Sequence, residues 1–219
     1  MPRVFIFANG EPDFPQSIVA QIAPDDIVVC ADGGSNHADT LGVKPHIVVG
    51  DMDSISPSTL ERFKLHGAEI RKYPREKDAS DLELALQAAL EFSPSEIICT
   101  SVLGRRQDHS LTNTFLIGRY ASLGSKISLI GASWQAQYVT KEQPCAFSGT
   151  KGDIFSISPM VATVCGVTVE GVKWPLDGED LPWGSSRTVS NEFICNDVSV
   201  KLTEGLLLAF HYYKGGPEV

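Results

Sequence analysis

Short runs of β-branched and aliphatic residues recur along the first 130 positions: VFIFA from Val4, IVVCA from Ile27, IVVG from Ile47, EIICTSV from Glu96 and ISLI from Ile127. Each is bounded by Gly, Asp or Pro and followed by a more polar stretch, a rhythm that predicts parallel strands covered by helices. The clearest helix opens at Ser80. Ser80 and Glu83 have the spacing of a capping box, and Leu82, Ala85, Leu86, Ala89 and Leu90 form one apolar face. A second helix is predicted from Ser56 as cap with Pro57 in its first turn, and a third after Asp108 with Leu111, Phe115 and Leu116 inward.

After about residue 140 the helical period disappears. The runs DIFSIS, TVCGVTVEG, DVSVKL and LLLAFHYY follow one another between Gly, Pro, Asn and Asp, which predicts an antiparallel sandwich of about 75 to 80 residues. The expected division is an α/β domain over 1–135, a mostly parallel sheet covered by helices, and an all-β sandwich over 140–219. A short join near Ala132 to Glu142 connects them.

Composition narrows the function. With 18 basic and 27 acidic side chains the net charge is −9, the wrong sign for covering nucleic acid or anionic lipid. No apolar stretch approaches the roughly 18 residues of a membrane span, and the start lacks the longer apolar run of a signal peptide. A cytoplasmic address is expected. Cys30, Cys99, Cys145, Cys165 and Cys195 form no CxxC pair, so they are read as small core residues rather than disulfides or zinc ligands.

In an open α/β sheet ligands sit beyond the carboxyl ends of the strands, and four groups of aspartates fall there. Asp32 precedes Gly33 and Gly34, whose amides can approach an anion closely. Asp51 and Asp53 follow the third run. Asp78 and Asp81 bracket the capped helix, and Asp108 follows the fourth run with Arg106 and His109. Converging carboxylates repel one another and are relieved by a hard divalent cation, magnesium by preference. Neither GxxxxGK[ST] nor GxGxxG occurs. Magnesium held by aspartates, the Gly33 and Gly34 amides, Lys77 and Arg106 are therefore the means available to balance a triphosphate.

The runs ADGGSNHA, IVVGDMDSI, KDASDLELAL and LGRRQDHSLTN, followed in order by GVKWPL and TVSNE, resemble the thiamine pyrophosphokinase family across nearly the whole chain. The resemblance implies the two domains above, the first three-layered (αβα), with ATP and metal bound by the first and thiamine bound by the second, and a homodimer with composite sites. It implies magnesium-dependent transfer of the pyrophosphoryl group of ATP to the hydroxyl of thiamine, releasing AMP.

Asp51 and Asp53 stand at the family's metal-binding DxD, and Asp78 and Asp81 in its next acidic motif, with Asp81 toward metal, thiamine or both. Arg106 and Asp108 match the Arg and Asp of GGRxDH, where Arg105 replaces the second Gly. Asp32, Gly33, Gly34, Lys77, Arg106 and His109 are the expected nucleotide contacts. Asp51, Asp53, Asp78, Asp81 and Asp108 are the expected metal ligands, and Asp81, Asp51, Asp53, Arg106 and Asp108 the catalytic set. Trp174 matches the aromatic that stacks on thiamine from the neighbouring subunit, and Ser190 with Asn191 the pair beside its pyrimidine. Taken alone, the Asp51/Asp53 pair also suits a metal-dependent phosphatase or a sugar-nucleotide transferase.

Overall fold

In the computed structural model, which describes residues 1–15, 17–104 and 106–214, the first part of the chain alternates strands and helices. It runs through β1 (Arg3–Phe7), α1 (Ile18–Gln21), β2 (Ile27–Ala31), α2 (Gly34–Thr40), β3 (Ile47–Gly50) and α3 (Pro57–Leu65). β4 (Glu69–Lys72), α4 (Asp81–Leu90), β5 (Glu96–Thr100), α5 (Gln107–Ser122) and β6 (Ile127–Ile130) follow. Arg105 lies outside the described residues. Two compact units emerge: Met1–Leu116 with Leu129–Gly131, and Ile117–Ser128 with the chain from Ala132 onward.

In the first unit the strands lie in the order β5-β1-β2-β3-β4, with β6 beyond β5. The pairs β1–β2, β1–β5, β2–β3 and β3–β4 are parallel. The chain winds outward from β1 to β4 and then returns to place β5 on the other side of β1, so the order reverses between β1 and β5. Phe5, Phe7, Val28, Cys30, Val48 and Ile98 fill the core with Ile18, Ala38 and Phe63.

Both predicted caps form. Ser56 Oγ accepts from Thr59 N with Pro57 behind it, and Ser80 Oγ accepts from Glu83 N at 3.2 Å. α4 buries Leu82, Ala85, Leu86 and Ala89 as expected and adds Leu84 and Ala88, while Leu90, its last residue, is exposed. The inward face of α5 differs from expectation. Leu111 and Phe115 are 60% and 46% exposed, and the buried stripe is Ile117, Gly118, Tyr120 and Ala121. Gly118 allows close packing there, since a Cβ on it would stand 3.1 Å from the Tyr138 ring and 3.4 Å from Leu206.

The second unit contains β7 (Trp134–Val139), β8 (Cys145–Ser148), β9 (Ile154–Pro159), β10 (Thr163–Glu170) and β11 (Leu176–Pro182). β12 (Asn191–Glu192), β13 (Asp197–Lys201) and β14 (Leu207–Tyr212) complete it. Antiparallel layers β12-β9-β14-β7 and β11-β10-β13-β8 enclose Phe147, Phe155, Ile157, Val167, Val169, Phe193 and Leu207. The segment expected as a join carries β7, whose Trp134, Ala136 and Tyr138 are buried on one face while Gln135 and Gln137 alternate with them. Cys30, Cys99 and Cys145 are buried, but Cys165 is only partly covered and Cys195 is exposed; all five are free thiols.

Inside this unit Asp153 and His211 form a fully buried pair, Nε2 to Oδ2 at 2.7 Å. Burial opposes ionisation of Asp153, but the amides of Thr150 and Lys214 and the His211 ring outweigh it and hold the carboxyl below the ordinary aspartate range. A depressed folded pKa contributes stability at neutral pH that is lost as pH falls past the unfolded value, 3.8, and through the folded one. Thermal melts of wild type and Asp153→Asn should therefore differ most near pH 7 and converge below about pH 4. A gap that stays constant down to pH 3 contradicts this.

Candidate active site

The crevice of the first unit lies where the strand order reverses. Beyond β1 the chain continues beside the segment that follows β5: Gly10 N donates to Ser101 O at 2.7 Å and Glu11 N to Leu103 O at 2.9 Å. A Cβ on Gly10 would stand 2.3 Å from the Leu103 carbonyl oxygen, so only glycine allows this approach. Residues following all five strands, β1 to β5, line a cavity of about 560 Å³, among them Asn9, Asp32, Asp53, Lys77, Asp81 and Gly104.

Asp32, Asp53 and Asp81 line this cavity, and Asp51, which does not, stands beside them. One carboxylate oxygen from each of Asp32, Asp51 and Asp53 lies within 4.8 Å of the other two. The backbone is bent to achieve this. Asp32 and Met52 have φ of 42° and 68°, left-handed conformations that are costly for non-glycine residues and concentrate at functional sites. Gly50 lets Asp32 and Asp81 crowd together, since a Cβ there would stand 2.9 Å from Asp32 Cβ and 3.1 Å from Asp81 Oδ1.

Asp32 is only 2% exposed, and its Oδ1 receives no hydrogen bond from any described residue. Burial raises its pKa, with repulsion from Asp81 and Asp51 adding to the effect and hydrogen bonds from Ser54 opposing it. Lys77 is drawn into this group rather than left in solvent. It is 14% exposed, with Nζ 3.0 Å from Asp81 Oδ1 and 3.8 Å from Asp51 Oδ2.

Other expected residues stand apart. Asp78 is exposed and does not line the cavity. Asp108 is paired with Arg106, Nη2 to Oδ2 at 2.5 Å, and that guanidinium holds its carboxyl at about 2. Arg106 and His109 line the cavity. Gly33 and Gly34 are buried by protein: added Cβ atoms would meet Asn9 Oδ1 at 2.3 Å and Phe7 O at 2.1 Å. Their small size serves the packing of α2 against the end of β1. Asn9, Gly10, Ser54, Arg75 and Asn113 also line the cavity. For Asn9 and Gly10 a signal exists, since ANG closes the first β-rich run and the strand-end rule applies there too.

The second unit has its own cavity, about 530 Å³, lined by Lys173, Trp174, Leu176, Arg187, Val189 and Ser190. Trp174 is 56% exposed, and Lys173 Nζ lies 4.7 Å from the centroid of its ring. Asn191 holds this tryptophan in place: Oδ1 accepts from Trp174 N at 3.1 Å and Nδ2 donates to Trp174 O at 2.8 Å. Ser190, beside it, has φ 60°. Trp134 is a packing residue beside Phe210 and Tyr212, and Trp183 is exposed.

Residues 20–129 match the family described as thiamin pyrophosphokinase, catalytic domain, and residues 138–207 its vitamin B1 binding domain. A thiamine pyrophosphokinase of Bacillus subtilis is 26% identical over 95% of this chain and 97% of its own length. Thiamine pyrophosphokinase 2 of Arabidopsis thaliana is 25% identical over 86% and 79%. Among solved structures, a thiamin pyrophosphokinase family protein from Enterococcus faecalis superposes with a TM-score of 0.80 at 26% identity, covering 98% of this chain and 100% of that one. The Bacillus subtilis enzyme reaches 0.85 at 24% identity, over 97% and 99%, and speaks to the fold alone.

Proposed function

The chain belongs to the thiamin pyrophosphokinase family, and from that premise we propose that its transfer of a pyrophosphoryl group from ATP to the hydroxyl of thiamine takes place at the acid-lined crevice beyond β1 to β5. The observation that carries this reading is the convergence of Asp32, Asp51 and Asp53, with Asp81 beside them, at the carboxyl edge of a parallel sheet. The relatives named above bear the kinase description, and none bears that of a phosphatase or sugar-nucleotide transferase.

The donor set suits magnesium. It consists of hard carboxylate oxygens, and the Asp32 oxygen that has no hydrogen-bond partner among the described residues is the kind of buried group that a cation satisfies. Asp51 and Asp53, with Asp32, are the residues to hold it; magnesium, when bound, offsets the charge of the phosphates and aligns them. Arg106 presents a forked guanidinium that fits phosphate oxygens, kept oriented by Asp108. Asp81 accepts a hydrogen bond from the thiamine hydroxyl and turns its oxygen toward the β-phosphorus, with Lys77 balancing the carboxylate charge. His109 and the Gly104 turn close the nucleotide side of the cavity.

Trp174 takes the flat, cationic rings of thiamine, in a site completed by a second copy of the chain. This makes the working form a homodimer. No helix among the described residues is long and apolar enough to cross a membrane, and a cytoplasmic enzyme drawing on cellular ATP is the reading we adopt.

Incubating the purified protein with ATP, magnesium and thiamine, and separating the products by chromatography, tests the reaction. AMP and thiamine diphosphate should appear in equal amounts, with no phosphoenzyme trapped on Asp51. Release of ADP or inorganic phosphate in place of AMP contradicts the proposal.

A further inference from the structure

We infer that Asn36 is a positioning residue whose carboxamide sets the geometry of the acidic site from outside it. Asn36 sits in the first turn of α2 and reaches across to the loop after β3. Its Nδ2 donates to Ser54 O at 2.8 Å, and its Oδ1 accepts from Ser56 N at 3.0 Å. A primary carboxamide can satisfy a carbonyl and an amide at once with a short, stiff side chain. Gripping those two groups fixes the direction of the loop between them.

Ser54 carries the constraint to the carboxylates. Its hydroxyl donates to Asp53 Oδ1 at 2.8 Å, and one oxygen of Asp53 lies within 4.8 Å of those of Asp32 and Asp51. Met52, two residues before Ser54, is in a left-handed conformation, which persists only where surrounding contacts over-determine the backbone. Asn36 supplies two such contacts from a helix packed onto the end of β1. Without them Met52 relaxes, and Asp53 swings away from Asp32 and Asp51. The inference rests on the reading that these three acids hold a divalent cation, and it assigns to Asn36 the outer-shell support that metal sites require.

The test is titration of Mn2+ into nucleotide-free protein, following free Mn2+ by electron paramagnetic resonance, for wild type, Asp53→Asn, Asn36→Ala and Asn36→Asp. Asn36→Ala should weaken Mn2+ binding about tenfold or more, the size seen when outer-shell partners of metal ligands are removed. The magnesium concentration for half-maximal rate should rise in parallel, while the KM for thiamine stays unchanged. Asn36→Asp keeps the acceptor for Ser56 N but turns an oxygen toward the Ser54 carbonyl. Added charge alone would tighten Mn2+ binding, whereas loss of the grip weakens it, and weakening is the expected result.

Equal or tighter Mn2+ binding in the Asn36 variants, with circular dichroism spectra like wild type, overturns the assignment. Asn36→Asp decides the matter if Asn36→Ala does not fold. Wild-type Mn2+ affinity in Asp53→Asn removes the metal reading itself, and the inference with it.

Discussion

Asp53→Asn and Asp51→Asn are each expected to lower the rate of thiamine diphosphate formation by roughly two or more orders of magnitude, the scale on which removal of a charge-stabilising group acts. Both proteins should fold. The two substitutions nevertheless differ in what they do to the metal-free protein. Asp53 lies close to Asp32 and Asp51, and among the described residues it faces the exposed Arg75 at 4.0 Å, so losing its charge chiefly relieves repulsion. Asp51 also faces Lys77 at 3.8 Å, so losing its charge removes an attraction as well. Melting without metal should thus rise more in Asp53→Asn than in Asp51→Asn. Near-normal turnover of either variant at saturating magnesium removes that residue from the mechanism.

Trp174→Ala is expected to weaken thiamine by about 5-fold to 150-fold and to leave the KM for ATP nearly unchanged. Stacking and cation–π attraction on a partly desolvated ring are together worth on the order of 1 to 3 kcal/mol. The ring is well prepared for this role: Asn191 fixes its backbone on both sides, while more than half of its surface stays open. Lys173 already covers one face, so a cationic ligand takes the other. Mixing Trp174→Ala subunits with Asp53→Asn subunits, once exchange is demonstrated with tagged and untagged protein, should recover activity if a site draws on two copies. Unchanged thiamine affinity in Trp174→Ala leaves this residue no part in the site.

Much of this arrangement can be read from the chain. The strands β1, β2, β3, β5 and β6 stand out because both faces are covered, which makes each a nearly continuous apolar run. β4, with the sequence EIRK, does not stand out, since it is an edge strand with two exposed residues. α2 opens on glycine and continues through Ser, Asn and His, residues without helical bias, and it forms because Gly33 and Gly34 fit beneath Asn9 and Phe7. β7 passes for a connector because glutamines alternate with its buried Trp, Ala and Tyr.

The aspartates of the site are legible because a carboxylate after a strand is chemically conspicuous. Their supports are less so. Asn36 and Asn191 act through hydrogen bonds to backbone groups distant in sequence, Ser54 acts through the side chain of its neighbour Asp53, and a carboxamide or hydroxyl in a loop has many ordinary uses. Lys77 illustrates the same limit, since sequence alone does not distinguish a solvated turn lysine from one drawn among carboxylates.

The left-handed conformation of Met52 sets a limit on engineering this enzyme for heat resistance. Glycine occupies such a conformation without steric penalty, but Met52 is also packed against the core of the first unit, so Met52→Gly sets relief of strain against lost packing. That exchange also loosens the peptide between two acids whose separation the catalyst depends on. A more heat-resistant variant is therefore better sought outside the loop that carries Asp51 and Asp53.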